Sequence, residues 1–211
     1  MIKTAMVEDF TTELNPLMLT EQRDRMLERF TDPEVVPAMF QPARVTEPGV
    51  ADWVASLVSL AAATRLTRVE SGGSLLLVGP TGTGKTWQAY GALRALSESG
   101  AYCSWRFITA PDLFAQLRPR PNVDPEQVYE SYASAHLLVL DELGAQRDSE
   151  WTGEYLGRLI DIRWKHQRAT LITSNVLPEQ FAHRFGDRIT SRLAQMCTQV
   201  ALTGPDRRRD S

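Results

Sequence analysis

Blocks of hydrophobic and polar residues alternate along this chain, and most of it predicts an α/β fold. Short apolar runs bounded by glycine or charged residues are typical of strands that are buried on both faces of a sheet. Five such runs predict strands, at residues 74–79, 101–110, 136–142, 169–175 and 198–204. The stretches between them predict helices. One ends near residue 98, three lie at 111–117, 125–135 and 151–166, and two short helices lie within 178–196. Strands that alternate with helices predict a parallel sheet covered on both sides.

The amino-terminal part follows a different pattern. Residues 17–30 place apolar side chains at helical spacing with charged residues between them, which predicts an amphipathic helix. The stretch 31–49 carries four prolines, and because proline continues neither a helix interior nor a sheet ladder, we expect an extended connector. Another helix is predicted at residues 51–66. We therefore divide the chain into an N-terminal helical segment and linker, 1–33, and a core domain, 34–211.

Composition narrows the class of protein further. The formal net charge of −3 gives no overall basic field, so a nucleic-acid site has to be a local patch. The two distant cysteines and three scattered histidines match neither a disulfide framework nor zinc-ligand spacing. No apolar run reaches the ~18 residues of a membrane span, and the first residues lack the apolar core of a signal peptide. We expect a cytoplasmic protein without a membrane partner.

The sequence GPTGTGKT fits the phosphate-binding pattern G-x-x-x-x-G-K-[ST] and lies between a predicted strand and a predicted helix. Its glycines allow backbone amides to approach phosphate oxygens, and the N-terminus of the following helix adds a positive dipole. A lysine for the β- and γ-phosphates and a threonine hydroxyl for Mg²⁺ complete the pattern. The predicted nucleotide-binding residues are Gly79, Pro80, Thr81, Gly82, Thr83, Gly84, Lys85 and Thr86.

Two further predicted strands end in polar residues. LLVLDEL delivers Asp141 and Glu142 at the C-terminal end of its strand, where ligands bind in open α/β sheets. Asp141 suits the Mg²⁺ shell together with Thr86, and Glu142 can polarise an attacking water as a base. The alternative is an acidic strand end that is merely solvated. LITSN ends the next strand, so Asn175 either holds the attacking water or the γ-phosphate, or is only a turn residue.

Together these motifs resemble the DnaC-type helicase loaders and IstB-like proteins, which are AAA+ ATPases. The resemblance covers about residues 34–209 and rests on GPTGTGKT, LLVLDELGAQRDSEW, TLITSN, FGDRITSRL and VALTGPDRR, in this order. It implies an AAA+ P-loop NTPase domain with a five-stranded parallel sheet and without a full C-terminal lid domain. It also implies ATP and Mg²⁺ as cofactors, hydrolysis between subunits of a homo-oligomer, binding of single-stranded DNA, and delivery of a replicative DnaB-type helicase onto that DNA.

The resemblance also assigns site residues. Asn175 matches the sensor-1 asparagine, and Arg192 matches the arginine finger that acts on a neighbouring subunit's nucleotide. Arg188, four residues earlier on the same predicted helix, is the second choice or supports the interface. Arg208 best matches the sensor-2 arginine, and Arg207 is the near alternative. Directly before Arg188, Asp187 is expected to cap the helix.

Several interpretations stay open at this point. The helix at 17–30 either docks the helicase or is a flap packed on the core. Arg118 and Arg120 either contact DNA phosphates or are solvated, and Trp87 either packs internally or contacts a base. The first 102 residues contain no cysteine, so the loaders' cysteine zinc site has no counterpart, which suggests a phage- or prophage-type version. Alternative functions are an IstB-like transposition helper ATPase and a non-hydrolysing nucleotide-gated adaptor.

Overall fold

A five-stranded parallel sheet forms the centre of the structure, a computed structural model that describes residues 16–64, 67–204 and 206. The strands are β1 (Ser74–Val78), β2 (Trp105–Thr109), β3 (Leu137–Leu143), β4 (Ala169–Ser174) and β5 (Cys197–Ala201). Their order across the sheet is β2-β3-β4-β1-β5, and every neighbouring pair is parallel. The sheet predicted from the alternation of strands and helices is therefore confirmed.

Helices cover both faces of this sheet. The described α-helices are α1 (Pro16–Thr31), α2 (Pro48–Ala62), α3 (Lys85–Ser99), α4 (Ala110–Leu117), α5 (Pro125–Ala133), α6 (Glu150–Lys165), α7 (Phe181–Phe185) and α8 (Asp187–Met196). Within the described residues no helix follows β5. No helix in this part of the chain is long and apolar enough to cross a membrane.

The central strand β1 explains why its sequence reads as a continuous apolar run. Leu75 and Leu77 face one hydrophobic cluster, which also contains buried side chains of α1, α2 and α3. Leu76 and Val78 face the opposite cluster, formed with α4, α5, α6 and α8. Because both faces of the strand are covered, the residues after Ser74 are all apolar.

The second strand is shorter than predicted. β2 begins at Trp105, which pairs with Leu137 of β3, and not at residue 101. Before that point Tyr102 forms an isolated parallel bridge with Arg68. The residues before Trp105 therefore leave the sheet to contact the segment that follows α2, a long-range pairing that local hydrophobicity does not reveal.

The helix predicted at 17–30 is present as α1, and it packs on the core. Met26 and Phe30 are buried in the same cluster as α3, and the Arg94 guanidinium of α3 lies 5.8 Å from the Phe30 ring centre. This contact agrees with the interpretation of the segment as a packed flap. Whether it also docks a partner, and whether 1–33 is a separate unit, stay predictions.

The proline-rich connector is not uniformly extended as expected, because it forms a 3₁₀ turn at Ala38–Phe40. Pro37 fixes the φ that starts the turn, and its carbonyl accepts from the Phe40 amide at 2.8 Å. Farther along, Gln88 of α3 accepts from the amides of Thr46 and Glu47 at 3.1 and 3.2 Å. The connector is thereby tied to the helix that follows the phosphate loop.

A buried arginine joins α6 to the ends of its neighbours. Arg163 has no exposed surface, and burial lowers the pKa of its guanidinium to about 9, so it is charged at neutral pH. Its acceptors, at 2.6–3.2 Å, are the carbonyl oxygens of Tyr132, Ala133, Ala135 and Ala169 and the Thr170 hydroxyl. It thus fastens the end of α5 and the start of β4 to one side chain.

Replacing Arg163 by Met removes these donors from buried acceptors, of which the Ala133 carbonyl still accepts from Arg168 at 2.6 Å. We expect Arg163→Met to lower the free energy of unfolding by about 3 kcal/mol or more, measured by urea titration followed by circular dichroism. Arg158→Met on the same helix is the control. Arg158 is exposed, pairs with exposed Glu126 and lies over the rings of Tyr129 and Tyr155, so its loss should cost about 1 kcal/mol. Equal losses in the two variants would contradict the role given to Arg163.

Candidate nucleotide-binding site

The loop Gly79–Thr86 connects β1 to α3, so the predicted phosphate-binding residues lie at the carboxyl end of the central strand. Gly82 and Gly84 have φ of +83° and +92°, a conformation that favours glycine. Lys85 is buried, and its Nζ donates to the carbonyl oxygens of Gly79 and Pro80, both at 2.7 Å. Lys85 is also the first residue of α3, so its backbone amide and the positive end of the helix dipole face the same loop.

Asp141 lies next to this loop, as predicted. Its carboxylate accepts from the Thr86 hydroxyl, at 3.0 and 3.2 Å to its two oxygens. It also accepts from the hydroxyl of Thr173 on the neighbouring strand β4. Burial raises the pKa of Asp141, the two hydroxyl bonds oppose that shift, and the charge of Glu142 adds to it. The result is a buried carboxylate directly beside the threonine that ends the loop.

Glu142 has an unusual backbone for a residue in a strand. Its φ is +57°, in the left-handed region, and the pairing of β3 with β4 shifts register between Leu140 and Leu143. Its amide donates to the Thr173 hydroxyl at 3.0 Å, which fixes this conformation. Buried residues flank the exposed Glu142 side chain on both sides. Such strained positions cost about 1–3 kcal/mol and cluster at functional sites.

A cavity of 620 Å³ brings the predicted residues together. Its lining includes Gly82, Lys85, Thr86, Glu142 and Asn175. Asn175 is exposed at the end of β4, beside the loop, where the sequence predicts it. Lysine, carboxylate and amide groups therefore face one volume, which meets the geometric requirement for positioning a phosphate and a water together.

The same cavity has apolar walls that the sequence analysis missed or left open. Met39 and Phe40 of the connector line it, and Trp87 both lines it and packs on the core. Phe40 stacks on Tyr90 at 4.5 Å between ring centres, and Tyr90 stacks on Phe107 at 4.3 Å. A flat apolar surface thus lies beside the phosphate loop. In the sequence, Met39 and Phe40 lie between two prolines, a pattern that predicts a connector and gives no sign of a cavity wall.

The segment after β5 returns to the phosphate loop. A Cβ on Gly82 would lie 1.8 Å from the Asp206 carboxylate, and one on Gly79 would lie 2.1 Å from the Leu202 carbonyl. Only glycine permits both approaches. Arg207 and Arg208, the candidates for sensor 2, lie outside the described residues, and their role stays a prediction.

The oxygen ligands at this site fit a Mg²⁺ ion that binds together with a nucleotide. In the described part of the chain, no group of three or more His, Cys, Asp or Glu residues could hold a metal ion by itself. Thr86 and Asp141 offer oxygen ligands, and Mg²⁺ commonly takes one or two protein ligands together with water and substrate phosphates.

The two arginines of α8 lie elsewhere and differ in their contacts. Neither Arg188 nor Arg192 lines the cavity. Arg192 is held on several sides: its guanidinium lies 3.8 Å from the Trp164 ring centre, and it donates to Asp161 at 3.3 Å and to Gln195 at 3.1 Å. Arg188 also pairs with Asp161, but 79% of its side chain is exposed.

The capping role expected of Asp187 is wrong. α8 begins at Asp187, and Gly186 occupies the capping position without a side-chain hydrogen bond. Gly186 adopts φ +81°, which suits glycine and sets the start of the helix. Asp187 instead adds an acidic group to the first turn, where the helix dipole favours it.

The structure does not distinguish between the two interpretations of the loop arginines Arg118 and Arg120, DNA contact or solvation. Both are exposed, and Arg120 pairs with Val123 in an isolated antiparallel bridge. Arg120 also lines a small cavity beside β2, together with Phe107 and Asp112. Contact with DNA phosphates stays a prediction for both residues.

Comparisons with known proteins identify the family and the fold of this chain. A sequence model of the family described as IstB-like ATP binding protein matches residues 52–209. The replicative helicase loader DnaC of Escherichia coli strain K12 is 26% identical over 123 residues, which are 57% of this chain and 49% of that protein. The chain thus spans about half the length of the curated relatives it matches.

Two solved structures share the fold. A crystal structure of DnaI has a TM-score of 0.65 and 22% identity, covering 87% of this chain and 99% of that one. A crystal structure of the DnaC helicase loader has a TM-score of 0.64 and 21% identity, covering 79% and 99%. At such identities the likeness concerns the fold alone, and the predicted AAA+ fold is confirmed. Because the family match spans most of the chain and includes every described motif of the site, this chain belongs to the IstB-like ATP binding protein family.

Proposed function

We propose that this chain is an ATPase of the DnaC-like or IstB-like kind, which binds ATP with Mg²⁺ and hydrolyses it. The observation that carries the proposal is the single cavity shared by Lys85, Thr86, Glu142 and Asn175, with buried Asp141 hydrogen-bonded to Thr86. These groups supply a phosphate cradle, oxygen ligands for a hard cation, a base and a polar amide. A site that only held a nucleotide would have no need of the strained, exposed carboxylate of Glu142.

Each residue has a distinct part in the proposed reaction. The loop amides and Lys85 bind the phosphates, while Thr86 and Asp141 hold Mg²⁺, which would neutralise phosphate charge. Asn175 orients a water molecule, and Glu142 takes its proton as the water attacks the γ-phosphate. The Phe40 ring and Met39 provide an apolar surface for the base of the nucleotide.

The arginines of α8 suggest that a second copy completes the site. Arg192 does not line the cavity of its own subunit, and its guanidinium is held near the surface by Trp164, Asp161 and Gln195. An arginine fixed in this way suits contact with the γ-phosphate in a neighbouring subunit, because its planar fork matches phosphate oxygens. We therefore propose hydrolysis at junctions of a homo-oligomer, with Arg188 as the second choice.

The partner we favour is a replicative DnaB-type helicase, loaded onto single-stranded DNA in the cytoplasm. The curated relatives named as helicase loaders support this choice. The family match to IstB-like proteins favours a second candidate, a transposition helper that pairs with a transposase. Pull-down from the same host or phage, with ATP and with ADP, separates the two. Recovery of a helicase supports the first candidate, and recovery of a transposase supports the second.

Glu142→Gln removes the proposed base while keeping the shape of the side chain. We expect ATP binding to persist and phosphate release to fall by about 10²-fold or more, since general bases contribute about 10²–10⁴. The rate is measured by single-turnover phosphate release with and without single-stranded DNA. Glu130→Gln, at an exposed position of α5, is the control and should keep its activity. A Glu142→Gln protein that retains most of its turnover would refute the role.

The Arg192→Ala monomer should bind ATP normally but lose the hydrolysis that DNA stimulates. An arginine finger contributes about 10³–10⁵ to the rate. The measurement is ATPase activity as a function of protein concentration and DNA. Mixing Arg192→Ala with Lys85→Ala protein should partly restore activity, since one supplies an intact cavity and the other an intact finger. The same mixture made with Arg188→Ala tests the second choice. Absence of rescue at every ratio would count against action between subunits.

A further inference from the structure

A second polar cavity, separate from the nucleotide site, lies at the opposite end of the sheet. Its volume is 360 Å³, and it is lined by residues just before β2 and β3 and at their start, including Ser104, Arg106 and His136. Because these strands are parallel, this edge is the amino end, whereas Asp141 lies near the carboxyl end of β3. The volume is in the usual range for small-ligand sites. None of the motifs used for the nucleotide site contributes to it.

Two arginines in this cavity have no acidic partner. Within the described residues, neither Arg68 nor Arg106 forms an ion pair or a side-chain hydrogen bond, although both line the cavity. The Arg68 guanidinium lies 5.3 Å from the Tyr102 ring centre, and its Nε is buried without an acceptor. By contrast, Arg158, Arg184 and Arg188 each have a carboxylate partner. The cavity therefore contains two guanidinium groups that are not paired with a carboxylate of the described residues, and Glu70 is the acidic residue whose charge acts on the cavity's His136.

His136 adds a neutral donor to the two cations. Its Nδ1 accepts from the Ser104 amide at 3.4 Å, so in the neutral ring the proton is on Nε2. Burial and the charges of Arg68, Arg168 and Arg163 lower the pKa of His136, and Glu70 opposes them. At neutral pH the imidazole is uncharged, and it offers a hydrogen bond without requiring a counterion.

We propose that this cavity binds a phosphate group, either free or as part of a nucleic-acid backbone. Two guanidinium groups, an imidazole N–H and the hydroxyl of Ser104 provide donors from three separate segments of chain. Such a set suits an oxyanion with several acceptor oxygens, and guanidinium groups match phosphate geometry in particular. The Tyr102 ring holds Arg68 in place. The Arg68 side chain therefore loses less conformational entropy when a ligand binds.

The test compares Arg106→Ala with the control Arg25→Ala, which removes the same charge from an exposed position on α1. All proteins carry Lys85→Ala, which weakens phosphate binding at the P-loop to the same extent in every protein compared. Inorganic phosphate is titrated by calorimetry, and a fluorescent single-stranded oligonucleotide is followed by anisotropy at several salt concentrations. We expect Arg106→Ala to weaken binding about tenfold and to reduce the salt slope by about one. Arg25→Ala should change affinity less than twofold.

The two ligands distinguish the sources of the phosphate. If Arg106→Ala lowers the affinity for both ligands and phosphate displaces the oligonucleotide, the cavity binds a nucleic-acid backbone. If Arg106→Ala lowers the affinity for inorganic phosphate alone, the cavity binds the free ion. His136→Gln should weaken the same ligand as Arg106→Ala. Equal behaviour of Arg106→Ala and Arg25→Ala with both ligands would overturn the proposal, as would an acidic peptide that binds here while phosphate does not. Nucleotide binding by the chain with Lys85 intact should be unchanged by Arg106→Ala, so this test is independent of the proposed ATPase function.

Discussion

The structure depends above all on the hydrogen bonds around the carboxylate of Asp141. This side chain is 3% exposed, and an unpartnered charge at such a place would cost several kcal/mol. The hydroxyls of Thr86 and Thr173 provide its partners, one from the start of α3 and one from β4. A single buried group therefore connects the phosphate loop to two neighbouring strands. The relative positions of loop, acid and strand end are set by the fold before any ligand binds.

Much of this arrangement was predictable because it follows from local sequence. A strand buried on both faces is apolar over most of its length, as Leu75 and Leu77 illustrate on one side and Leu76 and Val78 on the other. The loop motif, Asp141 and Asn175 then follow from strand ends, because parallel strands bring their carboxyl ends to one edge. No such rule reveals that Met39 lines the same cavity as Lys85, which depends on contacts between distant parts of the chain.

The errors have the same physical origin. The connector bends and attaches to α3 through Gln88, more than 40 residues away in sequence, and β2 starts late because Tyr102 pairs with Arg68. The capping prediction at Asp187 followed residue preference, whereas the backbone conformation of Gly186 decides where the helix begins. For Arg188 and Arg192, helical spacing alone gives no ranking, and the resemblance to the loaders puts Arg192 first. The structure adds a difference that spacing does not show, because the ring of Trp164, on another helix, lies against the Arg192 guanidinium.

The backbone of Glu142 links stability to chemistry at one position. Glycine adopts a φ of +57° without the steric penalty that a side chain incurs. The residue with the least backbone strain at this position therefore has no carboxylate. Selection for a more stable fold and selection for an acidic group facing the cavity therefore act in opposite directions on this codon. A screen for thermostable variants alone would drift toward glycine at Glu142 and, if the carboxylate is the base, would enrich proteins that fold better and hydrolyse nothing.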